Sequence, residues 1–286
     1  MNDNIGAIFN PDSFGNRSNH VPSRVQPDTL YNFVTKIDYI IDSLLHKRIA
    51  PRFSVEDIRY LNIPPKIAAI PMTCFCDINL SKIEYHMEFY GNYGLAFNKS
   101  WCMERGVQPV QYLNKSSDLQ KEFRKAFNAS YYNSNMHLTE SKPYISLLNF
   151  LTNQMIYYKP YQGKFPILDK DGNRSSTKKK MKCFADECEW RYIPDLSKIG
   201  ISQIITDEVV VANWKQTYDD LLSNEESVTF NFEYADLKYI VIKDTIDFRK
   251  LIEKINEWGS NKLISDKELY DLLPKILIWD EIKGDF

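Results

Sequence analysis

The sequence is short of histidine, glycine and paired cysteine, and each shortage removes a class of chemistry. Its four histidines (His20, His46, His86, His137) are too scattered to complete a ligand set by spacing, and no CxxC pair exists, so zinc is not expected. The five cysteines, Cys74, Cys76, Cys102, Cys183 and Cys188, are odd in number and sit in apolar strand-like runs, which argues for reduced thiols in a cytosolic protein. With 10 glycines and neither GxGxxG nor GxxxxGKS/T, the backbone phosphate cradle of an ordinary Rossmann or P-loop site is missing. No run reaches the roughly 18 to 20 apolar residues of a membrane helix. The opening MNDNIGAIFNPDSFGNRSNHVPSRVQPD carries acids, asparagine and proline where a secretory signal needs a basic start and an apolar stretch. A net charge of −2 supplies no general basic excess for nucleic acid, although it leaves local patches open.

What is present is a core and many rings. At 286 residues and 43% hydrophobic content the chain can build one large or two ordinary domains, and 18 Tyr, 16 Phe and 5 Trp favour ring-lined pockets. Residues 1–28, rich in Asn, Ser, Pro and Gly, read as an irregular arm that packs in part through Ile5, Ile8 and Phe9. A single α+β domain is expected over 29–286. TLYNFV is a strand, and KIDYIIDSLLHKRI follows with apolar residues at helical spacing, ending at His46. KIAAIPMTCFCDI reads as a strand broken by Pro71. LSKIEYHMEFYG reads as a helix capped by Ser81 and stopped at Gly91, followed by a strand from Tyr93 to Phe97. VQPVQYL is another short strand.

Two helical stretches, SSDLQKEFRKAF and SKPYISLLNFLTNQMIYY, form an insertion at about 115–160. LDKDGNRSSTKKKMK reads as a loop with a turn at Asp171-Gly172 and a basic run, Lys178 to Lys180 with Lys182. EVVVANW, SVTFNF and LKYIVIKDT read as strands, and IDFRKLIEKINEW and SDKELYDLLPKILIW as closing helices. Helices interrupt the strands irregularly, which disfavours a doubly wound parallel sheet, and no internal repeat is found.

The stretch FADECEWRYIP, residues 184 to 194, sets two acids and an arginine among strand-forming residues. If it is extended, Cys188, Trp190 and Tyr192 face one way and Glu187, Glu189, Arg191 and Ile193 the other. A solvated face or an ion-pair ladder accounts for such a row as well as a site does.

The run IPMTCFCDINLSKIEYHMEFYGNYGLAFNKSWCMERGVQPVQYL resembles the AbiGi-type family of bacterial abortive-infection proteins through CFCDI, the histidine before YGNYGL, the pair Lys99 and Trp101, and the PVxYL strand. LYNFVTKIDYIIDSLLHKRIAPRFSVEDI and DECEWRYIP resemble that family's opening and closing blocks, so the resemblance covers roughly 28–195. It implies the antitoxin member of a phage-resistance pair. Asn32 departs from the pattern, standing where the family implies a histidine.

The order of polar first strand, helix with a Pro-Arg segment and late strand headed by glutamate is also similar to ADP-ribosyltransferases of toxin-antitoxin modules. That resemblance implies a core of two small sheets with NAD in the cleft between them. Glu189 would then hold the ribose hydroxyl and stabilise the oxocarbenium-like centre. Glu187 would supply the first acid of an ExE pair, Asn32 and Thr35 would line the amide site, and Tyr90 or Tyr93 would stack on the nicotinamide. Arg52 would clamp the pyrophosphate, unless it is a surface or ion-paired arginine. His86 reads as a packed core histidine or a site residue, and Asp77 as a cap. A Cys76–His86 nucleophile pair is poorly motivated.

The leading expectation is therefore an anti-phage ADP-ribosyltransferase acting on a macromolecule, with nucleic acid as one acceptor. The rivals are a non-catalytic antitoxin that binds a partner toxin and a nucleic-acid-binding regulator.

Overall fold

Near-continuous burial of the central strands, whose side chains alternate between two covered faces, and turn-by-turn burial in the helices build one large sheet with helices on both faces. The computed structural model of the chain describes residues 25–134, 138–169 and 173–285, so most of the N-terminal arm, with Ile5, Ile8 and Phe9, and the Asp171-Gly172 turn lie outside the described residues. The first half of the chain forms β1 (Thr29–Val34), α1 (Ile37–His46), β2 (Arg48–Ile49), β3 (Arg52–Asp57), β4 (Ile67–Cys76), α2 (Ile83–Tyr90), β5 (Tyr93–Asn98), α3 (Lys99–Glu104), β6 (Gln108–Pro109) and β7 (Gln111–Leu113). Next come α4 (Asp118–Asn133), α5 (Leu138–Met155), β8 (Tyr158–Pro160), β9 (Gln162–Leu168), β10 (Arg174–Cys183) and β11 (Glu189–Tyr192). The chain closes with α6 (Glu208–Asn224), β12 (Phe230–Asn231), β13 (Leu237–Ile242), α7 (Thr245–Ser260), α8 (Asp266–Leu272), β14 (Ile276–Ile278) and α9 (Trp279–Ile282).

The α+β class holds, but the expected pair of small sheets does not. Among the described residues an eight-stranded sheet runs β14-β13-β5-β1-β4-β11-β6, with β3 also on β4, and three two-stranded pairs stand beside it: β10-β9, β12-β2 and β7-β8. Leu30 of β1 joins the core formed with α1 and α7, whereas its neighbour Tyr31 joins Ile83 and Met87 of α2 on the opposite face. The far half of β4 (Ala68, Ile70, Met72) packs on Phe123 and Phe127 of α4 and Leu151 and Met155 of α5, so the helical insertion is part of the core.

Several local readings give way to tertiary structure. Pro71 does not break β4. Its partner Phe53 sends its own N–H to Asp219, so this pair exchanges no ladder bond, and the side to which a residue-71 amide would point is where Ala69 bonds to Ile205 beyond the end of β11. Ser81 lies inside a 3-10 turn, Leu80–Lys82, and provides no cap for α2.

EVVVANW is helical, because the Asp207 side chain accepts from the Val209 and Val210 amides and opens α6. The basic run is a strand, β10, paired with β9. SVTFNF contributes only β12 after a 3-10 turn, and SDKELYDLLPKILIW splits at Pro274 into α8 and the parallel edge strand β14. The second insertion helix ends at Met155, leaving Tyr158 to β8. No helix of the described residues is long and apolar enough to cross a membrane.

Candidate functional site

The acids of FADECEW do not share one strand. Phe184–Glu187 is a 3-10 turn, Cys188 takes a left-handed φ of 42°, and only Glu189 begins β11. This kink still leaves both carboxylates on the same side. Trp190 and Tyr192 pack into the α1/α7 core, so Glu189 and Arg191 point to the α2 face, where neither is solvated: Glu187 is 2% exposed, Glu189 5% and Arg191 0%. Of the readings left open for this row, the solvated face fails and ion pairing holds, in the interior of a charge cluster.

Three carboxylates and three cations make up that cluster. Lys159 of β8 donates to both Glu187 and Glu189. Arg191 donates through Nε to Glu189 Oε1 at 2.7 Å, through Nη1 to the Ile156 carbonyl and through Nη2 to Glu56 of β3. Lys182 of β10 sits 2.9 Å from Glu187 Oε1, which also accepts from the Tyr90 hydroxyl. The Glu189 amide donates to Tyr112 Oη at 2.7 Å.

Lys182 Nζ is itself lodged over rings, 3.9 Å from the Phe89 centroid, 4.3 Å from Tyr90 and 5.2 Å from Phe165. His86 is buried and stacks on Tyr90 at 4.4 Å between ring centroids, which makes it a packed core histidine.

Burial opposes every charge here, and the partners decide the direction of each shift. Desolvation pushes the Glu189 carboxyl up, but Arg191 and Lys159 outweigh it and hold the group far below the usual carboxylate range. Desolvation also opposes the charged forms of Lys159 and Arg191, and the surrounding carboxylates, led by Glu189, hold both above their ordinary values. For Glu56 the desolvation wins over Arg191 and its pKa rises. Lys182 moves down through burial despite Glu187, and His86 falls to about 3 because it is buried beside Lys182 and Lys159. Each carboxylate of the cluster faces at least one of its cations.

The remaining candidates are divided between the two faces of the sheet. Tyr90 joins Glu187 and Glu189 on the α2 face. Asn32 alternates with Tyr31 onto the α1/α7 face and donates from Nδ2 to the Cys74 carbonyl. Tyr93 is on that same face, its hydroxyl donating to Asp247 of α7 at 2.6 Å. Thr35 lies in the bend after β1, against Gly91. Arg52 is exposed, with its guanidinium 4.8 Å from the Tyr39 ring centroid. Asp77 is no cap: it forms a buried ion pair with Lys99 at 2.8 Å, linking CFCD to the Lys-Trp motif.

An open depression of about 560 Å³ lies beside α2, rimmed by Glu84, Glu88, Lys243 and Lys283, and takes in none of these acids. Sequence reasoning missed Lys159, Glu56, Tyr112 and the inward turn of Lys182. A lysine inside the ring-rich run YYKPY was the available signal for the first. All five cysteines are free thiols.

The sequence matches, over residues 47–243, the family described as "Putative abortive phage resistance protein AbiGi, antitoxin". That span runs from the C-cap of α1 past β13, further toward the C-terminus than the family motifs, which end with DECEWRYIP. The chain is also 35% identical over 248 residues to the abortive phage resistance protein AbiGi of Lactococcus lactis subsp. cremoris, an alignment covering 82% of this chain and 98% of that relative. No solved structure matches the chain. The charge cluster, the Asp77–Lys99 pair and the strands β4 and β11 lie within the matched span, and the chain belongs to the AbiGi family of abortive phage resistance proteins.

Proposed function

We propose that this protein is the antitoxin of a bacterial abortive-infection pair and acts by binding and silencing a partner toxin. The observation that carries this reading is the fate of Glu189, whose two carboxylate oxygens are held by Arg191 and Lys159 in a buried, charge-balanced cluster. An ADP-ribosyltransferase needs that carboxylate free to hold a ribose hydroxyl and face a developing cation. Withdrawing it would leave two buried cations short of a partner, which is costly in a low-dielectric interior. The separation of Asn32 and Tyr93 from Glu189 by the thickness of the sheet adds to this, since one NAD could not touch all three. The family description, which names an antitoxin, supports this role, and the carboxylates then act as a rigid internal support.

The test is expression alone and together with the toxin of the same pair, with labelled NAD added to extracts. The expected result is harmless expression alone, rescue of growth in the presence of the toxin, and no label transferred. Growth arrest by the protein alone that is relieved by Glu189→Gln, with label transfer by wild type, would return the transferase reading.

A further inference from the structure

Residues 162–183 carry seven lysine or arginine residues against two aspartates, in a chain whose total charge is −2. Folded as the β9/β10 pair, this segment separates its cations by strand alternation. One face turns toward α2. There Lys182 is lodged among Phe89, Tyr90 and Phe165, Lys180 pairs with Glu88, and the Arg174 guanidinium lies 4.7 Å from the Phe165 centroid.

The other face turns outward. Lys179 lies opposite Pro166 and Met181 opposite Lys164 across the ladder, and Lys178 stands exposed in the irregularity between Arg174 and Lys179. Met181 is 62% exposed, an apolar side chain ringed by lysines. Asp57, which is held by Arg59, is a carboxylate close enough to sense Lys179.

We propose that this outward face is the surface that docks the partner toxin, through an acidic patch on the toxin surrounding an apolar contact for Met181; the inference rests on the antitoxin reading above. Three features select this occupant. Among the described residues of the pair, the cations left over after the inner face is satisfied are Lys164, Lys178 and Lys179. That is too few for a polyanion, since a protein holding nucleic acid at physiological salt makes roughly 6–10 phosphate contacts. An exposed methionine within a charged rim is the composition of a protein interface, with an apolar centre and a polar margin. The face is also preorganised: the buried Lys182 and its rings fix the pair against α2, and Glu187 ties that lysine to the charge cluster, so little conformational entropy is lost on docking. The cluster thus acts as the foundation of the binding element.

The experiment measures binding of purified full-length protein to the purified toxin of its pair, for wild type, the Lys164→Glu/Lys179→Glu double variant and a Lys267→Glu control on α8. Reversing two rim charges should weaken the complex by about 10- to 100-fold, mostly through slower association, and should reduce its salt dependence. The control should bind as wild type does. Circular dichroism and a thermal melt establish that the double variant is folded, and Lys164→Gln/Lys179→Gln, with a smaller loss expected, serves if it is not. Wild type and double variant binding the toxin equally well would overturn the docking face while leaving the antitoxin reading intact. A wild type that neither binds nor neutralises the toxin would overturn both. Lysine-dependent binding of a short single-stranded RNA, with no loss of toxin binding in the variant, would reassign the face to nucleic acid.

Discussion

Replacing Glu189 by Gln removes one charge from a cluster of three carboxylates and three cations while nearly preserving volume. Breaking a buried ion pair by deleting one partner costs about 3–5 kcal/mol. The lower end applies here, because Lys159 keeps Glu187 while Arg191 keeps Glu56 and the Ile156 carbonyl. For a chain of this size about 3 kcal/mol corresponds to a drop in Tm of about 6 °C. Urea denaturation followed by tryptophan fluorescence reads the change directly, since Trp190 is the next residue in β11. A parallel Glu189→Met/Arg191→Met variant removes both signs together and should be less destabilised than the sum of the single substitutions. A shift for Glu189→Gln below about 1 kcal/mol, the range of exposed pairs, would refute the reasoning, for the carboxylate would then be neither buried nor tightly paired in solution.

Gly91→Ala should destabilise by more than about 3 kcal/mol, combining left-handed strain with steric overlap. The site has φ +109°, and an added Cβ would fall 2.2 Å from the Val34 carbonyl oxygen. Gly106→Ala, at φ +79° but in open space, isolates the strain alone and should cost about 1 kcal/mol. Equal urea midpoints for the two variants would contradict the close approach of α2 to β1. His86, lowered by burial to about 3 from about 6.5, stays neutral in the folded state while the unfolded chain takes up its proton. Its contribution is therefore complete above about 6.5 and is lost as the pH falls toward 3, at about 1.4 kcal/mol per pH unit. Glu189, depressed in the folded state, adds a loss of the same sign below its ordinary range. His86→Phe should flatten the upper part of this slope in urea titrations across pH, and an unchanged slope would mean that His86 is not buried neutral.

Much of the framework was legible because it is local. β1, α1, β5, β13 and α7 announce themselves by period, and Gly91 by its position after an apolar helix. The family motifs were legible as well, since CFCDI, YGNYGL and Lys-x-Trp are contiguous. Where the reading failed, a distant partner decided. The valines of EVVVANW favour a strand in isolation, but a capping aspartate and the burial of Val211 and Leu222 make them helical. The lysines of β10 are a plain charged run until β9 pairs with them and α2 presents its rings.

The sequence by itself determined the α+β class, the reduced thiols, the family and the strand alternation that puts Glu189 and Arg191 on one side. Only the tertiary structure decided that this side is interior. Whether a carboxylate is a solvated ornament, a catalyst or an internal brace depends on the dielectric around it and the cations facing it, and here Arg191 of its own strand is joined by Lys159 of β8 and anchored by Glu56 of β3, groups that the fold brings from far along the chain.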